Sequence, residues 1–262
     1  MPLTDARAFR FVYSGAESSA ANMAIDEAVM TALREGRSGP MLRIYRWDPP
    51  TITLGYFQRI QDIDVDRCRR DGIGVVRRLT GGRAVLHDRE LTYSILFTGQ
   101  DFQPFRKKDI FLLVARCLVD SLKRLGIASR IAAKTRGDLK SANCFASPAQ
   151  FEIESVMEGK LIGSAQVIHG GVMLQHGAIP ITDSYTAIAR YLRCDTPIQK
   201  QAASLNRLAG REIGEEELLG ALRAGFGEHL RLVDGELTEG EQDLARRLSG
   251  EKYGSDEWNM RR

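Results

Sequence analysis

The chain has 262 residues, and its 37 Lys and Arg against 34 Asp and Glu leave a net charge of +3. A hydrophobic fraction of 43% and a charged fraction of 27% are those of an ordinary globular protein, long enough to bury a substantial core. The charge is too small to point to nucleic acid, no apolar run reaches a membrane span, and Met1–Arg10 has no signal-peptide core, so a cytoplasmic protein is expected.

In chain order, Phe9–Tyr13 predicts a strand, and Ser18 or Ser19 caps a helix over Ala20–Arg34, stopped by Gly36 and Gly39. Met41–Trp47 and Ile52–Tyr56 predict strands separated by Asp48-Pro49-Pro50, and Asp64–Asp71 a short helix. Gly74–Arg78 leads into a Gly-Gly loop that Glu90–Phe97 leaves as a strand, and Asp109–Leu125 is an amphipathic helix ending at Gly126. Phe151–Met157 and Lys160–Gln166 predict a hairpin turning at Glu158-Gly159, Val172–Ile179 another strand, and the chain from Ser184 a mostly helical region. Strands and helices mix without strict alternation. The expectation is one α+β domain over residues 1–262, with a mainly antiparallel or mixed sheet.

The chemistry concentrates in Arg77–His87, RRLTGGRAVLH. Gly81 and Gly82 let a ligand lie against main-chain N–H groups, and Arg77, Arg78 and Arg83 can hold a phosphate or carboxylate. A plain hairpin turn with a solvated arginine rim has the same composition. His87 and His176 are either satisfied histidines or site residues, and Phe11, Tyr45, Trp47 and Tyr56 read as core. Cys68, Cys117, Cys144 and Cys194 show no Cys-x-x-Cys pair, and the histidines no His-x-x-x-His spacing, so free thiols and no metal site are expected. Cys144, in a loop beside Pro148, is the one cysteine placed to be a nucleophile if a cation lowers its pKa. Lys160 opens a strand of small residues, Gly163, Ser164 and Ala165, that leaves room for a ligand. It is either a solvated hairpin lysine or a group that stabilises an oxyanion or thiolate.

RRLTGGRAVLHD (77–88), EGKLIGSAQ (158–166) and VMLQHGAI (172–179), with Asn22, Asp26 and Glu27 and the closing Trp258-Asn259-Met260, resemble the lipoate/biotin protein ligase superfamily in its lipoate-ligase-like branch. The resemblance implies transfer of a medium-chain acyl group to a lysine of a small lipoyl carrier, either a glycine cleavage H protein or a lipoyl domain of a 2-oxoacid dehydrogenase. It implies that Arg78, Gly81, Gly82, His87, Gly163, Ser164 and Ala165 line the acyl and headgroup site, and that Lys160 contacts the transferred carbonyl. The loop of Cys144, Phe145 and Pro148 looks like that of the octanoyltransferases and amidotransferases of this fold, and no C-terminal accessory domain is expected. The expected activity is octanoyl transfer from octanoyl–acyl carrier protein through an acyl-Cys144 thioester, with no cofactor. An ATP-dependent lipoate ligase and an amidotransferase between lipoyl carriers are the alternatives, and a non-catalytic acyl-binding protein is a third. Arg67, Arg69, Arg70, Arg77, Arg78, Arg83 and Arg89 are a candidate docking face for acidic carriers.

Overall fold

In the computed structural model, which describes residues 7–132, 153–193 and 203–262, β1 (Phe9–Glu17) leads directly into α1 (Ser19–Arg34). The Ser18 hydroxyl caps α1 by accepting from the N–H of Ala21, one of the donors that a helix start leaves unpaired. Next come β2 (Met41–Trp47), β3 (Thr51–Leu54), α2 (Val65–Arg70), β4 (Gly74–Arg77), β5 (Val85–His87), β6 (Glu90–Thr98), α3 (Lys107–Arg124) and β7 (Ser129–Ile131). A meander of β8 (Ile153–Ser155), β9 (Gly159–His169) and β10 (Val172–Pro180) follows, then 3₁₀ turns over Asp183–Tyr191. The rest holds α4 (Leu205–Ala209), α5 (Glu215–Gly227), β11 (Leu232–Asp234), α6 (Glu239–Leu248), a π-helical turn over Ser249–Tyr253, and α7 (Asp256–Asn259).

The strands form two sheets. The larger has the order β11-β1-β2-β6-β10-β9-β8-β7, parallel at β11-β1-β2 and antiparallel elsewhere. The smaller is β4-β3-β5, with β3 parallel to β4 and antiparallel to β5. The expected α+β class with a mixed sheet is what the chain adopts. Three short strands, Val85–His87, Ser129–Ile131 and Leu232–Asp234, carry too few alternating residues to announce themselves in sequence. The strand expected over Ile52–Tyr56 stops at Leu54, because the chain turns at Gly55.

Alternation along the central strands separates two cores. Leu42 and Ile44 of β2, Tyr93, Ile95 and Phe97 of β6, and Met173 of β10 join Val114, Cys117, Leu118, Leu218, Leu222 and Phe226 of α3 and α5. Met41, Leu96, Val172 and Leu174 point the other way and meet Met23, Ala24, Val29 and Leu33 of α1. Each such apolar side chain contributes roughly 1.5–3 kcal/mol by leaving water. The small sheet covers the rest of this second face around Ile52, Leu54, Cys68 and Leu86. Where the two sheets meet over Tyr45, Trp47, Thr92 and His176, the packing is incomplete and leaves a cavity.

Candidate active site

The cavity is lined by Met23 of α1, Tyr45 and Trp47 of β2, Thr92 of β6, Gly163–Ala165 of β9 and His176–Ala178 of β10, facing Thr53, Arg78, Val85 and His87. Strand register gives it direction. Gly163 lies opposite Ala178, Ala178 opposite Thr92, and Thr92 opposite Tyr45. Three strand spacings of about 4.8 Å make this row about 14 Å long. Small residues open it on the β9 side, and Tyr45 with Trp47 closes it on the β2 side.

Glycine at 177 is a packing requirement. A Cβ there would lie 2.6 Å from the Tyr93 ring and 2.8 Å from the Gly163 carbonyl oxygen. Tyr93 in turn bonds Ser164, with 2.7 Å between the two hydroxyls, and accepts from Nε2 of Gln175 at 3.0 Å, which holds β9 in place.

Lys160 owes its place to an irregularity. Glu154 pairs with Lys160, but Ile153 pairs with Ile162, so Leu161 is an extra residue in β9. Leu161 and Ile162, which a regular strand sends to opposite faces, both enter the larger core. The bulge resets the alternation, and Lys160 comes into phase with Gly163 and Ala165, the residues that line the cavity. Lys160 is only 1% exposed, so the solvated-lysine alternative is discarded.

The polar floor of the cavity is one connected network. Arg78 donates from Nε to Thr80 Oγ1 (3.1 Å), from Nη1 to the Thr53 carbonyl (3.0 Å) and hydroxyl (3.1 Å), and from Nη2 to the carbonyls of Gly81 and Arg83 (2.8 Å each). Thr80 Oγ1 lies 2.7 Å from Nε2 of His176, whose Nδ1 faces Asp26 at 3.6 Å. Asp26 also accepts from Arg43 and from Ser94. On the other side, Thr53 Oγ1 lies 2.9 Å from Nε2 of His87, and His87 Nδ1 lies 2.7 Å from Glu90. Trp47 stacks on the His87 ring with centroids 4.4 Å apart and donates to Thr92 at 2.8 Å. Burial pulls the pKa of His176 below its ordinary value, against the opposing pull of Asp26. A neutral His176 accepts from the Thr80 hydroxyl and turns its Nδ1–H toward Asp26.

Arg77 departs from the expectation that it holds an anion. Arg77 is fully buried, and its guanidinium donates to the carbonyls of Gly55 (2.9 Å), Gln58 (2.6 Å) and Asn259 (3.0 Å). It is a structural clamp. The bonds of Arg78 to Thr53, Thr80 and the Gly81 and Arg83 carbonyls make its head an organiser of the loop at the cavity wall. The arginine docking face shrinks accordingly: Arg77 and Arg78 are buried, and Arg67 and Arg69 pair with Asp71 and Asp66.

Of the other candidate residues, His87, Gly163, Ser164 and Ala165 line the cavity, whereas Gly81 lines an adjoining groove. Gly82 has φ +94°, and its carbonyl oxygen would lie 2.0 Å from a Cβ on Gly55, so the loop is laid against a bare backbone. Cys144, like Cys194, lies outside the described residues. Burial pushes the Cys68 thiol up to about 11, helped by Asp64, and pushes that of Cys117 higher still, so neither is a thiolate near neutral pH. Tyr45 and Trp47 are core residues as expected, but they also wall the cavity, and Met23, Thr53, Thr92 and Ala178 join them unannounced. Among the described residues no cluster of His, Cys, Asp and Glu is arranged to hold a metal, and no helix is long and apolar enough to cross a membrane.

The lipoyl protein ligase A/B catalytic domain profile matches residues 18–227, the span that contains the cavity. The chain belongs to the lipoyl protein ligase A/B catalytic family. Within this family it is 40% identical to the octanoyltransferase LipM of Kyrpidia tusciae, over 97% of this chain and 99% of that one. It is also 40% identical to the octanoyltransferase LipM of Carboxydothermus hydrogenoformans, over 97% and 98%. A putative lipoate protein ligase of Thermoplasma acidophilum, solved with bound lipoic acid, superimposes with a TM-score of 0.81 at 27% identity, covering 98% of this chain and all of that one. A lipoate-protein ligase A bound with ATP gives 0.82 at 27%, covering 97% and 99%.

Family membership gives a context for the segments that carried the resemblance. Asn22 donates to the carbonyls of Glu17 and Arg46 and accepts from Arg43, and Asp26 anchors Arg43 and Ser94. Glu27 binds Lys252 and Tyr253, and Trp258 donates to the Arg77 carbonyl at 2.8 Å. These residues tie α1 and the chain's end to the strands around the cavity.

Proposed function

We propose that the chain is an octanoyltransferase of protein lipoylation, taking an octanoyl group from octanoyl–acyl carrier protein and passing it to a lysine of a lipoyl-carrier protein. The observation that carries this reading is the cavity lining. Its walls are aliphatic and aromatic, and Arg78 beside it bonds Thr53, Thr80 and the carbonyls of the Gly-Gly loop. Such a site suits an uncharged chain. An extended eight-carbon acyl group, about 9 Å long at roughly 1.3 Å per bond, is shorter than the row of strand positions from Gly163 to Tyr45. The octanoyltransferases at 40% identity over nearly the whole chain support the same acyl group.

In this reading Cys144 attacks the donor thioester carbonyl as a thiolate. The tetrahedral oxyanion collapses with release of the carrier thiolate, which takes up a proton, and the octanoyl group stays on Cys144. The neutral amine of the acceptor lysine then attacks the acyl-Cys, losing a proton as the amide forms and the Cys144 thiolate leaves. Lys160 supplies positive charge to thiolate and oxyanion, the role its phase with Gly163 and Ala165 fits. Because the donor is already activated, no ATP is consumed. Arg78, Gly81, Gly82, His87, Gly163, Ser164 and Ala165 shape the acyl and headgroup site, through side chains or through loop and strand backbone.

The test is acceptor modification followed by mass spectrometry under two conditions. Octanoyl–acyl carrier protein without ATP is expected to octanoylate the lipoyl carrier. Modification only with free lipoate plus ATP would place the chain with the ligases, and transfer only from another octanoylated lipoyl carrier would make it an amidotransferase.

A further inference from the structure

Beside the cavity runs an open groove, lined by Glu27, Met30, Thr31 and Arg34 of α1 and by Gln166, Val167 and His169 of β9. Cavity and groove are laid end to end on the same two elements. On α1, Met23 faces the cavity, while Glu27, Met30 and Arg34 face the groove. Their spacing of 4, 7 and 11 residues from Met23 keeps all four on one helix face. On β9, Gly163 and Ala165 line the cavity and Val167 and His169 the groove, in the period of two that defines one strand face. Met23 to Arg34 spans about 16 Å of helix, and Gly163 to His169 about 20 Å of strand. Cavity and groove thus follow one another along one face of α1 and one face of β9.

The two walls differ in chemistry. Tyr56, Phe57 and Trp258 form an aromatic side, with Phe57 67% exposed and the Arg261 guanidinium 3.8 Å from the Trp258 ring centroid. The lining carries an excess of positive charge. Glu27 is the acidic residue of the lining, and Lys252 binds its carboxylate at 2.7 Å, so the excess charge is that of Arg34 and Lys107. The Arg34 stem lies over the β9–β10 turn, where a Cβ on Gly170 would come within 2.6 Å of its Cδ. Arg34 therefore sits at the end of the groove nearest that turn.

We propose that this groove is the donor dock: the phosphopantetheine arm of an acidic acyl carrier protein lies along α1 and β9, and the carrier's acidic surface meets Arg34 and Lys107. The proposal rests on the acyl-carrier reading of the donor. A thin, flexible arm with amides along its length and a phosphate at its protein end matches a groove of mixed lining that carries Arg34 and Lys107. The aromatic side gives the arm a surface to lie against, and the cavity beyond receives the acyl chain.

Steady-state kinetics of Arg34→Glu/Lys107→Glu and of Phe57→Ser test it, with octanoyl–acyl carrier protein and with the truncated donor octanoyl-N-acetylcysteamine. The charge reversal is expected to raise KM for the carrier donor roughly tenfold, to leave turnover of the truncated donor unchanged, and to be mimicked in the wild type by added salt. Phe57→Ser is expected to raise the same KM without salt dependence. An unchanged carrier KM overturns the proposal. So does a rise confined to the acceptor's KM, which would assign the groove to the lipoyl carrier, or a loss that tracks dissociation of a dimer, which would assign it to a second copy. A wild type that takes no octanoyl from the carrier but uses lipoate with ATP marks failure of the donor reading itself, an outcome visible before any variant is made.

Discussion

Arg77 and Asn259 are joined by two hydrogen bonds: the Arg77 backbone N–H donates to Oδ1 of Asn259 at 2.9 Å, and Nη2 of Arg77 donates to the Asn259 carbonyl at 3.0 Å. The pair staples the chain's end to the strand that feeds the Gly-Gly loop. Asn259→Ala leaves a buried N–H unmet and is expected to destabilise the fold by roughly 1–3 kcal/mol, read from urea unfolding. Arg77→Lys is expected to cost more, because one ammonium cannot reach the carbonyls of Gly55, Gln58 and Asn259 together. Wild-type stability in Arg77→Lys would contradict the clamp.

Gly55 tests the loop itself. A methyl group there collides with the Gly82 carbonyl, so Gly55→Ala must displace the Gly81–Gly82 loop or its own strand. The expected result is at least a tenfold fall in acyl transfer with the large sheet intact, seen as unchanged far-ultraviolet circular dichroism.

His176 sets a pH dependence with a definite sign. Burial lowers its pKa in the folded protein, so below about 6.5, the ordinary histidine value, the unfolded chain binds the proton more readily. Its contribution is intact above that pH and is lost progressively as pH falls through and below it. Urea midpoints from pH 8 to 5 are expected to fall less steeply for His176→Gln than for the wild type. Parallel profiles would contradict a buried neutral imidazole.

Much of the fold was legible because it rests on local pattern. Met41–Trp47 is a mostly apolar run bounded by Pro40 and by Asp48-Pro49-Pro50, and Ser18 with the apolar spacing after it fixes the start of α1. The candidate site was legible where chemistry and backbone freedom coincide, at Arg78–Gly82 and Gly163–Ala165. Three things were not. Tyr45 and Trp47 read as core, because alternation tells which residues share a face but not that a second sheet fails to close over it. Arg77 and Arg78 carry the same side chain into the interior for different reasons, and only tertiary partners separate the clamp from the loop organiser. The phase of Lys160 depends on one extra residue, Leu161, and a bulge leaves no mark in a run of apolar residues.

Lys160 therefore gives a prediction tied to geometry. Lys160→Met keeps most of the volume and removes the charge, and it is expected to lower kcat about a hundredfold or more with a smaller change in KM. Full activity in this variant would remove Lys160 from the chemistry.

The central claim is covalent acyl transfer through Cys144, and intact-protein mass spectrometry after mixing with octanoyl–acyl carrier protein, without ATP, tests it most directly. The account predicts one octanoyl adduct on the wild type, released by hydroxylamine, passed to a lipoyl carrier when one is added, and missing from Cys144→Ser. Octanoylation of the carrier by Cys144→Ser at the wild-type rate would contradict it.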